Sequence, residues 1–113
     1  MILLNNIYSN TDEPSQPGRP NIVDWDSDHV DLSWTAPARD GGAPISGYVV
    51  QKKERGSPYW QNACKIGPDT SCTVPNLTED QEYEFRIIAV NKAGNSEPSD
   101  PSDTVVCRAR NRK

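Results

Sequence analysis

The sequence predicts an all-β fold, a seven-stranded antiparallel β-sandwich, and three observations carry that reading. The apolar runs are short. Within them apolar and polar residues alternate with a period of two. Ten prolines and seven glycines punctuate the chain, so breaker-rich turns recur every 8–12 residues or so, as in a sandwich of short strands. No segment has both the period and the length of a helix. At 113 residues the chain has room for one domain, and with 34% hydrophobic residues its core depends on their placement.

The elements follow in order. Residues 1–16, "MILLNNIYSNTDEPSQ", read as a flexible lead-in, and "PGRP" at 17–20 opens the folded part. "NIVDW" is an edge strand. "HVDLSW" sets Val30, Leu32 and Trp34 on one face against His29, Asp31 and Ser33 on the other. After the loop "TAPARDGGAP" comes "ISGYVVQKK", with Tyr48 and Val50 opposite Val49 and Gln51. "YWQNAC" is a short strand around Trp60, and "SCTV" puts Cys72 and Val74 on one side. "EYEFRIIAVN" alternates Tyr83, Phe85, Ile87 and Ala89 against Glu84, Arg86 and Ile88. "KAGNSEPSDPS" reads as a loop, and "DTVVC" closes the set. The folded domain then spans 17–107, and 108–113 form a basic C-terminal linker.

Net charge is −4, but Arg108, Arg110, Arg112 and Lys113 lie in the last six residues. The body before them carries 8 basic and 16 acidic residues. An acidic body argues against a nucleic-acid partner, which needs a basic footprint. No apolar run approaches the ~20 residues of a membrane span, and "MILL" lacks the features of a signal peptide. Three cysteines without C-x-x-C spacing allow one disulfide and one free thiol, but three reduced thiols in a cytosolic protein is the simpler reading.

"DWDSDHVDLSW" at 24–34 has the D-x-D-x-D spacing of a calcium loop in Asp24, Asp26 and Asp28. Such a loop requires glycine at its sixth position and glutamate at its twelfth; here stand His29 and Thr35. The aspartates read instead as a turn into the strand that ends on Trp34, with Trp25 closing one end of the sandwich. His29 points outward there, away from any cysteine that could complete a nucleophilic pair. No catalytic residue, cofactor or metal is assigned. Arg39-Asp40-Gly41 has the wrong order for an adhesion tripeptide. Gly41 and Gly42 read as positions that permit positive φ, in a loop that could also meet a partner. Asn76-Leu77-Thr78 is a glycosylation sequon, relevant only in the secretory pathway. The densest basic cluster before the tail is Lys52, Lys53 and Arg55, beside Tyr59, and it is the expected partner surface.

In combination these stretches resemble a fibronectin type III domain, whose fold is immunoglobulin-like. "PGRP", "VDLSW", "DGGAPISGYVV" and "LTEDQEYEFRIIAVNKAGNSEPS" carry the resemblance, over about residues 17–107. "DGGAPISGYVVQKKERGSPYW" is similar to the domains of titin, twitchin, projectin and myosin-binding protein C, and "VDWDSDHVDLSW" to invertebrate twitchin and projectin repeats. Leu77 and Tyr83 are spaced as in a tyrosine corner. Trp34 would be the central core aromatic, with Trp60 packing from the opposite sheet. The resemblance implies a non-catalytic spacer, force-bearing and docking module of a sarcomeric, cytoplasmic, titin-like protein. It implies neighbouring immunoglobulin or fibronectin type III domains, and myosin or another thick-filament protein, as partners. The isolated domain is expected to be a monomer. The alternative is a domain of a cell-surface adhesion or signalling receptor, which predicts use of the Asn76 sequon.

Overall fold

Strand-forming residues with one apolar face must bury that face against a second sheet, and they do so here. The computed structural model describes residues 11–109. Eight strands run in chain order: β1 Asn21–Trp25, β2 Val30–Ser33, β3 Gly47–Glu54, β4 Gln61–Ile66, β5 Ser71–Val74, β6 Glu82–Asn91, β7 Gly94–Asn95 and β8 Val105–Val106. One sheet has the order β1-β2-β5; the other has β4-β3-β6-β7, with β8 also pairing β6. All pairings are antiparallel.

The expected alternation sets the core. Val30, Leu32 and Trp34 are buried from one sheet; Tyr48, Val50, Tyr83, Phe85, Ile87 and Ala89 are buried from the other. Trp34 meets Tyr48 edge-on, ring centroids 5.3 Å apart. Trp60 does not reach this core, contrary to expectation. It stands just before β4, partly exposed, with the Arg86 guanidinium 4.4 Å from its ring centroid. The register explains this. β3–β4 pairing runs from Val50↔Cys64 to Gln51↔Asn62, so Ala63 is bulged out of the ladder. One extra residue exchanges inner for outer positions beyond it. Inward places go to Cys64 and Ile66, and Trp60 lands on the outer face.

The C-terminal segment also departs from the reading as a loop and one strand. β7 is an additional two-residue strand. Between it and β8, the stretch 96–102 is bonded to β6 through serines. Ser96, Ser99 and Ser102 donate their N–H groups to the carbonyls of Ala89, Ile87 and Phe85, each at 2.8 Å. Their hydroxyl oxygens accept from the N–H groups of the same three residues at 2.9–3.0 Å. Each hydroxyl proton goes to the carbonyl of the next residue, Glu97, Asp100 or Asp103. Three residues of this segment therefore span two residues of β6. Pro98 and Pro101, which cannot donate to a ladder, fall between the bonded serines.

The segment before β1 is also bonded to the body. Of the expected lead-in, residues 1–10 lie outside the described residues, but the hydrogen-bonded body already begins at Asp12. Asp12, Ser15 and Gly18 donate their N–H groups to the carbonyls of Gly41, Arg39 and Thr35. Gln16 and Arg19 reach across to the carbonyls of Pro98 and Pro101.

Candidate functional site

Strand β6 runs the length of the domain, and its two ends define two poles. Ten residues at ~3.4 Å each separate Glu82 from Asn91 by about 30 Å. The chain comes in at the Asn91 pole and leaves at the Glu82 pole.

At the N-terminal pole the organiser is Asn91, a buried side chain. Its amide nitrogen donates to the carbonyls of Asp12 and Asp40, at 2.8 and 2.7 Å. Its amide oxygen accepts from the N–H groups of Ala93 and Gly94. All four hydrogen-bonding capacities of the amide are used. One side chain thus joins the incoming chain, the 35–46 loop and the 91–94 turn. Gly41 and Gly42 adopt positive φ, 80° and 96°, as expected. Gly41 meets a second demand: a Cβ there would run into the Asp12 carbonyl. This loop packs against the chain's own N-terminal segment.

At the C-terminal pole the tyrosine corner is present. Tyr83 is fully buried, and its hydroxyl accepts from the Thr78 N–H at 2.9 Å. Asn76 and Asp80 hold φ of 61° and 70° on either side, a region their short polar side chains tolerate. Cys107 closes the corner through its backbone, donating to the Gln81 carbonyl and accepting from the Asp80 N–H. Arg108 of the basic tail bonds Asp80 at 3.2 Å; residues 110–113 lie outside the described residues.

The aspartate-rich turn lies at this pole. Asp26 and Asp24 accept from the N–H groups of Ser27 and Trp25, and the Asp26 N–H donates to the His29 carbonyl. Asp28 pairs with His29 Nδ1 at 2.9 Å. The hydrogen bond to Asp28 raises the His29 pKa above its ordinary value, opposed by burial and assisted by the charges of Asp28, Asp31 and Asp26. Asp31 faces outward and accepts from the Thr73 hydroxyl. Among the described residues no group of three or more histidine, cysteine or acidic side chains is placed to hold a metal ion.

The expected basic surface is divided by strand alternation. Lys52 lies opposite Phe85 in the register, on the inner face, with its ammonium 6.0 Å from the Tyr83 ring centroid. Lys53 lies on the outer face opposite Glu84. Arg55 is ion-paired with Glu82 at 3.2 Å. Tyr59 is 72% exposed, the more exposed of two large apolar surface side chains among the described residues. The outer face of this sheet carries an unforeseen array. Arg86, stacked on Trp60, donates to Gln51 at 2.7 Å, and Gln51 donates to Asn62. Partial burial lowers the Arg86 pKa. The result is an aromatic–guanidinium array on the outer face of β6 and β3, the same face that carries Lys53.

Sequence reasoning missed Asn91, the three serines and the Trp60–Arg86 pair. The serines have a signal, the S-x-x-S-x-x-S spacing with interleaved prolines. Half of the Asn91 pattern has none, because the Asp12 and Asp40 carbonyls that its amide nitrogen bonds are far away in sequence.

A two-sheet sandwich with a tyrosine corner and no inter-sheet disulfide defines the class, and the family comparison agrees: residues 15–105 match the fibronectin type III domain. The chain belongs to that family. It is 39% identical over 98 residues to the titin homolog of Caenorhabditis elegans, covering 87% of this chain and a share of that protein that rounds to 0%. It is 39% identical to the striated-muscle M-protein of Gallus gallus, over 85% of this chain and 7% of that one. Among solved structures, the twitchin kinase region from C. elegans superposes with a TM-score of 0.82 at 38% identity, over 89% of this chain and 18% of the other. The chain therefore spans a small fraction of its relatives, which are titin-like muscle proteins.

Proposed function

We propose that this domain is a non-catalytic spacer and force-bearing unit of a sarcomeric, thick-filament-associated protein, working in the cytoplasm between neighbouring immunoglobulin or fibronectin type III domains. The carrying observation is the fastening of both chain ends at opposite poles, Asp12 by Asn91 and Gly41, and Cys107 by Gln81 and Asp80. Tension applied through the termini runs along β6 and is resisted by its paired neighbours. The docking role falls to Lys53 and Tyr59, with Lys52 and Arg55 supplying long-range positive potential. The partner is an acidic filament protein of the myosin-rod type. Rim charges of this kind act on encounter and salt dependence more than on affinity.

The test is co-sedimentation of single-domain and multi-domain fragments with myosin rod. Salt-sensitive binding that weakens about tenfold in the double variant Lys53→Glu, Tyr59→Ala supports docking. Absence of salt-sensitive binding by both fragments removes it. The receptor alternative makes the opposite compartment prediction, a glycan on the exposed Asn76. A native protein isolated without that glycan excludes it.

A further inference from the structure

The sandwich has one edge where strands of opposite sheets follow each other directly in the chain. β4 is the edge of one sheet and β5 the edge of the other, joined by the turn 67–70. Each carries one cysteine at an inward position. Cys64 lies opposite Val50, and Cys72 lies opposite Leu32; both partners belong to the core. The register therefore aims the two sulfurs into the same gap between the sheets. Both pack against the core without being sealed in it. The Cys64 thiol donates to the carbonyl of Thr73, the residue after Cys72, at 4.0 Å. Cys107 is buried at the C-terminal corner, bonded through its backbone to Gln81 and Asp80.

We propose that Cys64 and Cys72 form a dithiol modification site that closes to an intradomain disulfide, taking a low-molecular-weight disulfide of the glutathione type as co-substrate. The Cys64 thiolate attacks one sulfur of the small disulfide; a mixed disulfide forms and one small thiolate leaves, taking up a proton. The Cys72 thiolate then attacks the Cys64 sulfur and expels the second small thiol. Two protein thiols are oxidised and one small disulfide is reduced to two thiols, the protons passing from the first pair to the second. Burial raises the Cys64 thiol pKa above its ordinary value, opposed by the hydrogen bond with Cys72 and by the Lys52 ammonium on β3, so of the two thiols Cys64 goes first. Cys72 goes second: burial, Cys64 and the Asp31 carboxylate of β2 push its thiol up to about 12. Closure is therefore slow at neutral pH and accelerates with rising pH. The product ties the two sheets covalently at the edge opposite the serine-bonded one. This inference does not depend on the muscle role.

The test is incubation of the folded 113-residue protein with oxidised glutathione at mildly alkaline pH, followed by thiol titration and peptide mapping. The three free thiols should fall to one, at Cys107, with a Cys64–Cys72 cross-linked peptide and a mass lower by two hydrogens. Cys107→Ser should still close the same bond. Cys72→Ser should stop as a glutathione adduct on Cys64. Any of four results in folded wild-type protein overturns the proposal: no thiol loss, an adduct on Cys64 that never closes, a bond through Cys107, or a bond between molecules.

Discussion

Strand β6 is paired along both sides, by different means. On one side β3 follows it in continuous register from Gly47↔Val90 to Glu54↔Tyr83, backbone to backbone. On the other, the segment 96–102 offers a serine hydroxyl where a regular strand would offer a carbonyl, at every third residue. The first arrangement needs only alternation and tolerates many residue types on its outer face. The second depends on a donor and acceptor in one small side chain at three fixed positions. In return it frees the intervening residues for proline and acid, which keep the edge from pairing with another chain.

The contrast can be broken first from the regular side. Trp34→Ala should cost about 3–5 kcal/mol in denaturant unfolding, as a large-to-small change in the packed interior. Trp34→Phe should cost clearly less, because it keeps an aromatic ring edge-on to Tyr48 in the packed interior. On the serine side, Ser99→Ala strands the buried Ile87 N–H and should cost about 1–3 kcal/mol. Ser99→Thr keeps the hydroxyl and should recover part of that loss. At the N-terminal pole, Gly41→Ala should cost about 1 kcal/mol or more, since positive φ and the Asp12 carbonyl both oppose a Cβ. Asp28→Ala should cost under about 1 kcal/mol, as an exposed residue of a turn.

The smallest effect concerns pH. His29 should titrate above 6.5 in NMR, and Asp28→Asn should bring it down, since the Asp28 hydrogen bond is the leading cause of the shift. A raised folded-state pKa means that the associated stability is fully present below 6.5 and is lost as pH rises through the folded value. A His29 pKa at or below 6.5 would contradict the pairing.

The same contrast explains what the sequence could reveal. Val30, Leu32, Tyr48, Val50, Phe85 and Ile87 are legible because burial alone dictates a period of two. Leu77 and Tyr83 are legible because the corner is a local motif. The outward place of Trp60 is not legible, because the bulge at Ala63 leaves no mark on composition. The 96–102 segment looked like a loop because its pairing uses side chains and a period of three. Lys52, Lys53, Arg55 and Tyr59 are adjacent in sequence, but alternation and the Arg55–Glu82 pair distribute them over different environments.

The C-terminal segment should be fastened to β6 as firmly as a regular strand. Native-state hydrogen exchange at the Phe85, Ile87 and Ala89 amides tests this most directly. Those amides should be protected up to the free energy of global unfolding, and Ser99→Ala should release Ile87 selectively. Fast exchange at all three in the wild-type protein, or an Ile87 amide indifferent to Ser99→Ala, would contradict it.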